Sequence, residues 1–430
     1  MKRFNGCSAV GVVLILVSQV SGAEAQTPTR DLEFCFAPGT PREVVERAYS
    51  HRGMNRAAHS LSDDDPFLFR LNPRWSSTAT DGSGLGQGDP TTITWGLVPD
   101  GLSISGAVGE PTSPSNLRAF LDGIYGVGDW LPIFQQVFDR WQELTGITYV
   151  YEPNDDGAAF ANSSGVVGVR ADVRIGGHLI DGNSGILAYN YYPNGGDMVI
   201  DTADSFFDNT SGNSIRLRNV LAHEHGHGMG LRHVCPVNQT KLMEPYLTTS
   251  FDGPQHDDIL GANRSYGDIA EDDDSQGTAY PLEPFGSGSL LQDLSIDDDS
   301  DIDFLEFFLT NGDILDFSIT PVGTQYLEGP QNGGSCTPGT MFDSLAIHDL
   351  TLTVRDSGGS VLATADVNGA GDPEQLTAIQ VPGGNGYVEV GGDSTDNVQL
   401  YQLEISADSQ TVFVDGFESG SASAWSQTVQ

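Results

Sequence analysis

The chain has 430 residues, with 59 acidic against 19 basic residues and a formal net charge of −40. So negative a surface repels nucleic acid and anionic membranes, and no nucleic-acid partner is expected. Lys2 and Lys241 are the only lysines, a pattern that fits a high-salt habitat, calcium-rich surroundings or resistance to trypsin-like neighbours without choosing among them.

Lys2 and Arg3, an apolar stretch from Ala9 to Val20 and the small-residue site Ala23-Glu24-Ala25 read as an export signal over residues 1–25, cleaved after Ala25. The stretch is too short for a membrane span and no other run approaches about 20 apolar residues, so no membrane insertion is expected. The expected product is secreted, soluble and extracellular, with a monomer favoured. Cys7 leaves with the signal, which leaves Cys35, Cys235 and Cys336, an odd number for an oxidising compartment. One disulfide and one spare thiol fit that count; a bond from Cys35 to Cys235 and a plain free Cys35 both stay open. Residues 26–72 form an N-terminal segment with no assigned role, a propeptide among the candidates.

Further along, TTITWGLV (91–98), ITYVYE (147–152) and ADVRIGG (171–177) are rich in β-branched and aromatic residues and read as strands. Between the first two, residues 129–146 set Leu131, Phe134, Phe138 and Trp141 on one helical stripe, with Asp129 as N-cap, Pro132 in the first turn and Gly146 as stop.

Residues 223–233 read HEHGHGMGLRH. His223 and His227, four apart, share one helical face one turn apart, as two imidazoles must to hold one tetrahedral metal. Glu224 flanks that metal without ligating it. Gly228 and Gly230 can break the helix and bring His233 round as third ligand, leaving a fourth position for water. A structural zinc site takes four protein ligands; the motif has no fourth His or Cys, although Cys235 follows two residues on. His225 projects to the other side of the helix and reads as a packing or solvent histidine.

This HExxHxxGxxH spacing resembles the metzincin metallopeptidases. Leu242-Met243-Glu244-Pro245, ten residues beyond His233, is similar to the methionine turn of the matrixin branch, in which Met243 would floor the zinc histidines. The astacin and serralysin branches fit less well, because Tyr246 follows the methionine by three residues and their tyrosine ligand by two. The matrixin resemblance covers residues 73–268 and implies an α+β zincin fold, a twisted mixed sheet plus an active-site helix. It also implies protein or peptide substrates laid along an edge strand at Gly185 to Tyr189, with Leu187 and Ala188 as main-chain contacts. GPQHDDILGANRSYG (253–267) resembles the domain's closing helix. Asp181, Gly182, Ser184, Ile186, Asp201 and Asp204 match one calcium site of that family, and Asp172 and Asp197 match a second less completely. Tyr189 and Val199 stand where the family's structural-zinc histidines would be, so that second zinc is expected to be missing despite His178 and Asp181 nearby. Cys35 as a latency thiol on the zinc is a third reading of that residue, although EFCFAPG departs from the family's PRCGxPD switch.

Residues 269–284, acidic and proline-containing, read as a linker. Beyond it Phe304–Leu309, Ile314–Ile319, Leu350–Val354 and Val361–Ala363 alternate with glycine turns, which indicates an all-β sandwich over 285–408. The strand order is similar to the bacterial pre-peptidase C-terminal domain. Asp297, Asp299, Asp301 and Asp303 are spaced like a calcium loop, but Ile302 and Phe308 replace its glycine and glutamate; a sandwich entry loop is the preferred reading, and a calcium site there stays open. The tail 409–430 resembles short sorting motifs and equally fits an unstructured end.

The expectation is a secreted zinc-dependent metalloendopeptidase with one catalytic zinc on His223, His227 and His233, Glu224 as general base and structural calcium. The alternative is a catalytically silent secreted protein of the same fold that binds or adheres.

Overall fold

The computed structural model describes residues 31–51, 71, 73–282, 288–393 and 396–407. The expected export signal with its cleavage site, Cys7, most of 52–72 and the C-terminal tail lie outside the described residues.

Six strands form the first sheet: β1 Leu32–Phe36, β2 Thr91–Leu97, β3 Ile147–Tyr151, β4 Val173–His178, β5 Ile186–Tyr191 and β6 Met198–Asp201. Their order is β1-β5-β6-β4-β2-β3. β3, β2, β4 and β6 run parallel to their neighbours, whereas β5 is antiparallel to β6 and β1 antiparallel to β5. Parallel strands need cover on both faces, and the helices are α1 Arg42–His51, α2 Leu117–Tyr125, α3 Leu131–Gln142, α4 Ser211–Met229 and α5 His256–Tyr266.

The stripe on α3 works as its spacing implies. Phe134, Phe138 and Trp141 are buried, joined by Ile133 and Val137, while Leu131 is only partly covered. Trp95 of β2 stacks on Phe138 with centroids 4.3 Å apart, and Trp141 Nε1 donates to the Ala222 carbonyl at 3.2 Å, tying α3 to α4. Asp129 is not the cap: Trp130 holds that position with no side-chain cap. The Leu131 N–H already donates to the Gly128 carbonyl, and Pro132 has no N–H to satisfy.

Facing that core, the opposite side of β1, β5 and β6 packs Phe34, Phe36, Ile186, Tyr189 and Val199 against Val45, Ala48 and Tyr49 of α1. The two-residue period of β1 therefore sends Phe34 and Phe36 to α1 and Cys35 to the α4 side.

The C-terminal region is a two-sheet sandwich. One sheet contains Tyr280–Pro281, Ile302–Leu309, Gly384–Gly391, Thr351–Asp356 and Val361–Ala365; the other contains Gly288–Ile296, Gln399–Ala407, Asp313–Val322 and Glu374–Val381. The segment read as a linker is built into the sandwich, since Tyr280 and Pro281 pair with Leu305 and Glu306 and Ala270 lies in the sandwich core. An arm, Gln325–Asn332, pairs back onto Val234 and Cys235 just after the histidine motif. The disulfide joins Cys235 to Cys336. Cys35 is free and buried, so the bond between Cys35 and Cys235 that the sequence left open is not formed; β1 turns Cys35 toward α4, and the arm fills the place beside Cys235.

In the chain starting at residue 26, a thiol reagent should therefore label no cysteine in the native protein and one, Cys35, in denaturant without reductant. Two or three labelled thiols would contradict the pairing.

Candidate metal centre

The last turns of α4 are buried on all sides. Asn219, His223, Glu224, His225 and His227 have no solvent exposure, and polar groups so placed cost on the order of 1–3 kcal/mol each unless partnered. Trp75 Nε1 donates to the Gly228 carbonyl at 2.7 Å and Tyr266 Oη to the Met229 carbonyl at 2.7 Å, which satisfies the end of the helix. Gly230, at φ 112°, turns the chain out of the helix, a conformation that favours glycine. His233 then comes back over His223 and His227.

Each imidazole of the triad is oriented by a partner on Nδ1. His223 Nδ1 meets the Leu242 carbonyl at 2.7 Å, His227 Nδ1 the Leu231 carbonyl at 2.7 Å, and His233 Nδ1 the Gln331 Oε1 at 2.7 Å. An oxygen acceptor there requires the proton on Nδ1, which leaves each Nε2 as a lone pair. The three Nε2 atoms stand 3.1, 3.2 and 3.2 Å apart. Converging lone pairs repel, and a cation among them removes the repulsion. A tetrahedral ion about 2.0–2.1 Å from each nitrogen separates its ligands by about 3.3 Å, so the triad fits zinc with little adjustment. Burial and the neighbouring His233 push His223 down to about 3, so it stays neutral, the form a metal accepts.

Met243 lies under the triad. Its Sδ is 2.5 Å from where a Cβ on Gly226 would stand, so only glycine lets the sulfur approach the helix there. The turn is held by Asp258 of α5, which accepts from the Leu242 and Met243 N–H groups at 2.7 and 3.0 Å. Glu224, next to His223 on the helix, accepts from the Cys35 N–H at 3.0 Å through Oε1, while its Oε2 has no hydrogen-bond partner among the described residues. Burial pushes its carboxyl up to about 8. His225 packs, as expected: Nε2 lies 2.6 Å from Tyr149 Oη and the ring meets Phe138 edge-on.

Residues 129–267 match the family model of the matrixin peptidases. Karilysin of Tannerella forsythia is 30% identical over 31% of this chain and 28% of its own length. The central domain is matrixin-like. A hatching enzyme of Paracentrotus lividus is 27% identical over 31% of this chain and 22% of its own length, and metalloendoproteinase 1-MMP of Arabidopsis thaliana is 28% identical over 31% and 37%. The chain thus spans between about a fifth and two fifths of the length of these relatives. Among solved structures, the pre-peptidase C-terminal domain of a Bacillus anthracis collagenase is 13% identical at a TM-score of 0.18, over 29% of this chain and 92% of its own.

Beside this matrixin-like site the sheet edge is occupied. Leu187 and Ala188 lie on β5 as expected, but β1 is paired along that strand, with Cys35 opposite Ala188. On its other side Phe36 donates to the Pro245 carbonyl at 3.1 Å and accepts from the Leu247 N–H at 3.0 Å. The chain's own residues 32–36 therefore fill the groove between β5 and the 245–247 segment. The Cys35 thiol lies near His223 and Glu224 but is not grouped with all three histidines. Burial and Glu224 raise its pKa well above the usual range, so it is a thiol rather than a thiolate.

The acidic residues matched to calcium are distributed unevenly. Asp181, Asp201 and Asp204 gather around one loop, accepting main-chain N–H groups from Ile186, from Asp181 and Gly182, and from Ser184 respectively; burial, with its two neighbours, raises Asp181 to about 6. Asp172 and Asp197 are not brought to a common point. Asp172 is taken by Thr94 and the Ala79 N–H, and Asp197 by the Ala161 and Arg174 N–H groups. Tyr189 donates to Glu110 at 3.0 Å, and His178 meets Ser113 at 2.7 Å and Glu110 at 3.5 Å.

Asp258 and Gln331 escaped the sequence reading. Asp258 has a signal in hindsight, a carboxylate at the third position of α5 where a capping box forms with Gln255. Gln331 has none, because it lies 98 residues from His233.

Replacing Gln331 with Ala should leave the fold intact and weaken metal binding by about 10- to 100-fold, the usual effect of losing a histidine's outer partner. Competition with a chromophoric chelator measures it, and an unchanged affinity would remove Gln331 from the site.

Proposed function

We propose that the chain is an exported zinc-dependent endopeptidase acting on extracellular proteins. The observation that carries the reading is the inward convergence of three imidazole Nε2 atoms, 3.1–3.2 Å apart, beside a buried carboxylate with one unpartnered oxygen. A zinc ion on His223, His227 and His233 would supply Lewis acidity toward a peptide carbonyl and acidify a water. Glu224 takes the proton from the attacking water and returns it to the leaving amine.

The groove orients the substrate. An extended peptide in the place of β1 runs antiparallel to β5 and parallel to the 245–247 segment, with its main chain hydrogen-bonded on both sides. The Cys35 N–H on Glu224 marks where a leaving amine would stand. In this reading residues 31–51 are a latent form's own plug, held by main-chain pairing, by the aromatic packing of Phe34 and Phe36 on Tyr49, and by the Cys35 thiol beside Glu224. Calcium on the Asp181, Asp201 and Asp204 loop belongs to the same reading as a structural ion. The silent alternative is disfavoured by Glu224, which a binding protein has no need to bury.

Two measurements test this. Zinc-loaded chain starting at residue 73 should cleave casein, and Glu224→Ala should keep its zinc yet lose at least about 10³-fold in rate; a processed, zinc-loaded wild type that leaves casein and diverse peptides intact would establish the silent reading. The chain starting at residue 26 should be at least about 10-fold slower than the one starting at 73, because displacing β1 must precede substrate pairing. Equal rates would show that β1 does not obstruct the groove.

A further inference from the structure

The strand that fills the groove is held there in one register. On the β5 side Ala37 donates its N–H to the Gly185 carbonyl at 2.9 Å, and on the other side Phe36 bonds through both N–H and carbonyl to Pro245 and Leu247. At the opposite end the Tyr192 N–H donates to the Asp31 carbonyl at 3.0 Å. A slip by one residue would break these bonds and turn Phe34 and Phe36 from α1 toward α4.

That register sets one peptide bond beside the histidines. Glu33 Oε1 approaches His233 Nδ1 at 3.9 Å, while the Cys35 thiol is grouped with His223 and Glu224 within 4.8 Å. The bond between Phe34 and Cys35 spans the distance from one approach to the other. Its N–H is the one that Glu224 Oε1 accepts at 3.0 Å. The peptide is trans, so the Phe34 carbonyl points away from that carboxylate, toward the side where a metal would polarise it. The oxygen available to take a proton from water is Glu224 Oε2, unpartnered among the described residues. Blocking the groove does not by itself require this polarity, since a strand of either direction would cover the histidines. The direction seen is the one in which amide and carboxylate meet as in a cleavage.

We propose that Phe34–Cys35 is a bond the chain cuts in itself, with β1 lying in the groove as a substrate. The inference rests on the peptidase reading above. Water adds to the Phe34 carbonyl carbon as Glu224 takes its proton; the carbon–nitrogen bond then breaks and that proton passes to the Cys35 nitrogen. The products are a fragment ending in the Phe34 carboxylate and a chain beginning with the Cys35 amine. The second product stays in place, because Phe36 and Ala37 keep their main-chain bonds and Val45, Ala48 and Tyr49 of α1 keep their packing. The cut chain therefore remains slow toward other proteins until residues 35–51 are removed as well.

Zinc added to the metal-free chain starting at residue 26 tests this, read by intact-mass spectrometry and by a thioester reagent that ligates only a chain whose first residue is cysteine. Wild type should gain a Cys35 terminus at a rate unchanged by about ten-fold dilution, and Glu224→Ala should lose at least about 10³-fold in that rate. In the metal-free chains, where nothing is cut, Glu224→Ala should speed hydrogen exchange at the Cys35 amide at least about 10-fold, since its acceptor is gone. If the chain starting at residue 73 cleaves casein while the longer one keeps its Phe34–Cys35 bond or is cut only elsewhere, the proposal is overturned and the peptidase reading stands. If neither casein nor the chain itself is cut, both fall. A rate that drops with dilution would overturn cutting within one chain, and equal exchange in the two metal-free chains would take the Cys35 amide off Glu224 and the proposal with it.

Discussion

Everything in the central domain depends on burying a polar helix end. The last turns of α4 carry three histidines, a glutamate and an asparagine into a place without solvent, and each group has to be satisfied there or it opposes folding. Two main-chain carbonyls and one glutamine fix the three Nδ1 atoms, which forces the three Nε2 lone pairs together. The site is therefore a consequence of how the surroundings are wired. Trp75, Trp141 and Tyr266 donate to carbonyls along the helix, and Asp258 holds the turn that carries Met243. These contacts come from separate stretches of chain at 75, 141, 231–243, 258–266 and 331, so placing three imidazoles takes residues far apart in sequence.

A sheet that ends in β5 presents an unpaired row of N–H and C=O groups beside that site, a natural template for an extended peptide. In this chain β1 takes the position. Its polarity, antiparallel to β5 and parallel to the 245–247 segment, is fixed by pairing on both sides. Strand addition gives affinity through the main chain, so whatever occupies the groove must compete with five residues already paired and with the aromatic cluster that anchors them through α1. The proposed latency thus rests mainly on backbone pairing and apolar packing. The Cys35 thiol, buried, protonated and not grouped with all three histidines, contributes position more than ligation.

What was legible in the sequence had short range. His223, Glu224, His227 and His233 are spaced by helix geometry and one glycine turn, and the α3 stripe and the strands over 91–98 and 147–152 follow from local periodicity. Long-range pairings left no such trace. Nothing in EFCFAPG says that it will pair with residues some 150 positions away, and nothing in Gln331 says that it will orient His233. The cysteine pairing was open for the same reason, since three thiols allow three bonds and only the arm at 325–336 selects one. The acidic series at 297–303 was read against a loop motif it fails to match; its partners, Glu271 and Asp273, lie in a segment that read as a linker. A cluster of carboxylates drawn from two separate stretches of chain has no fixed spacing to recognise.

The two domains meet at places that bear on one another. The arm carrying Gln331 is paired to Val234, crosslinked at Cys235 and continuous with the sandwich, so the orientation of His233 is set by a residue of the other domain. The carboxylate cluster sits at the opposite connection, where the segment after α5 enters the sandwich. If the sandwich moved as a body, His233 would lose Gln331 and keep only the longer approaches of Tyr49 Oη at 3.4 Å and Glu33 at 3.9 Å, while His223 and His227 would keep the carbonyls of their own domain.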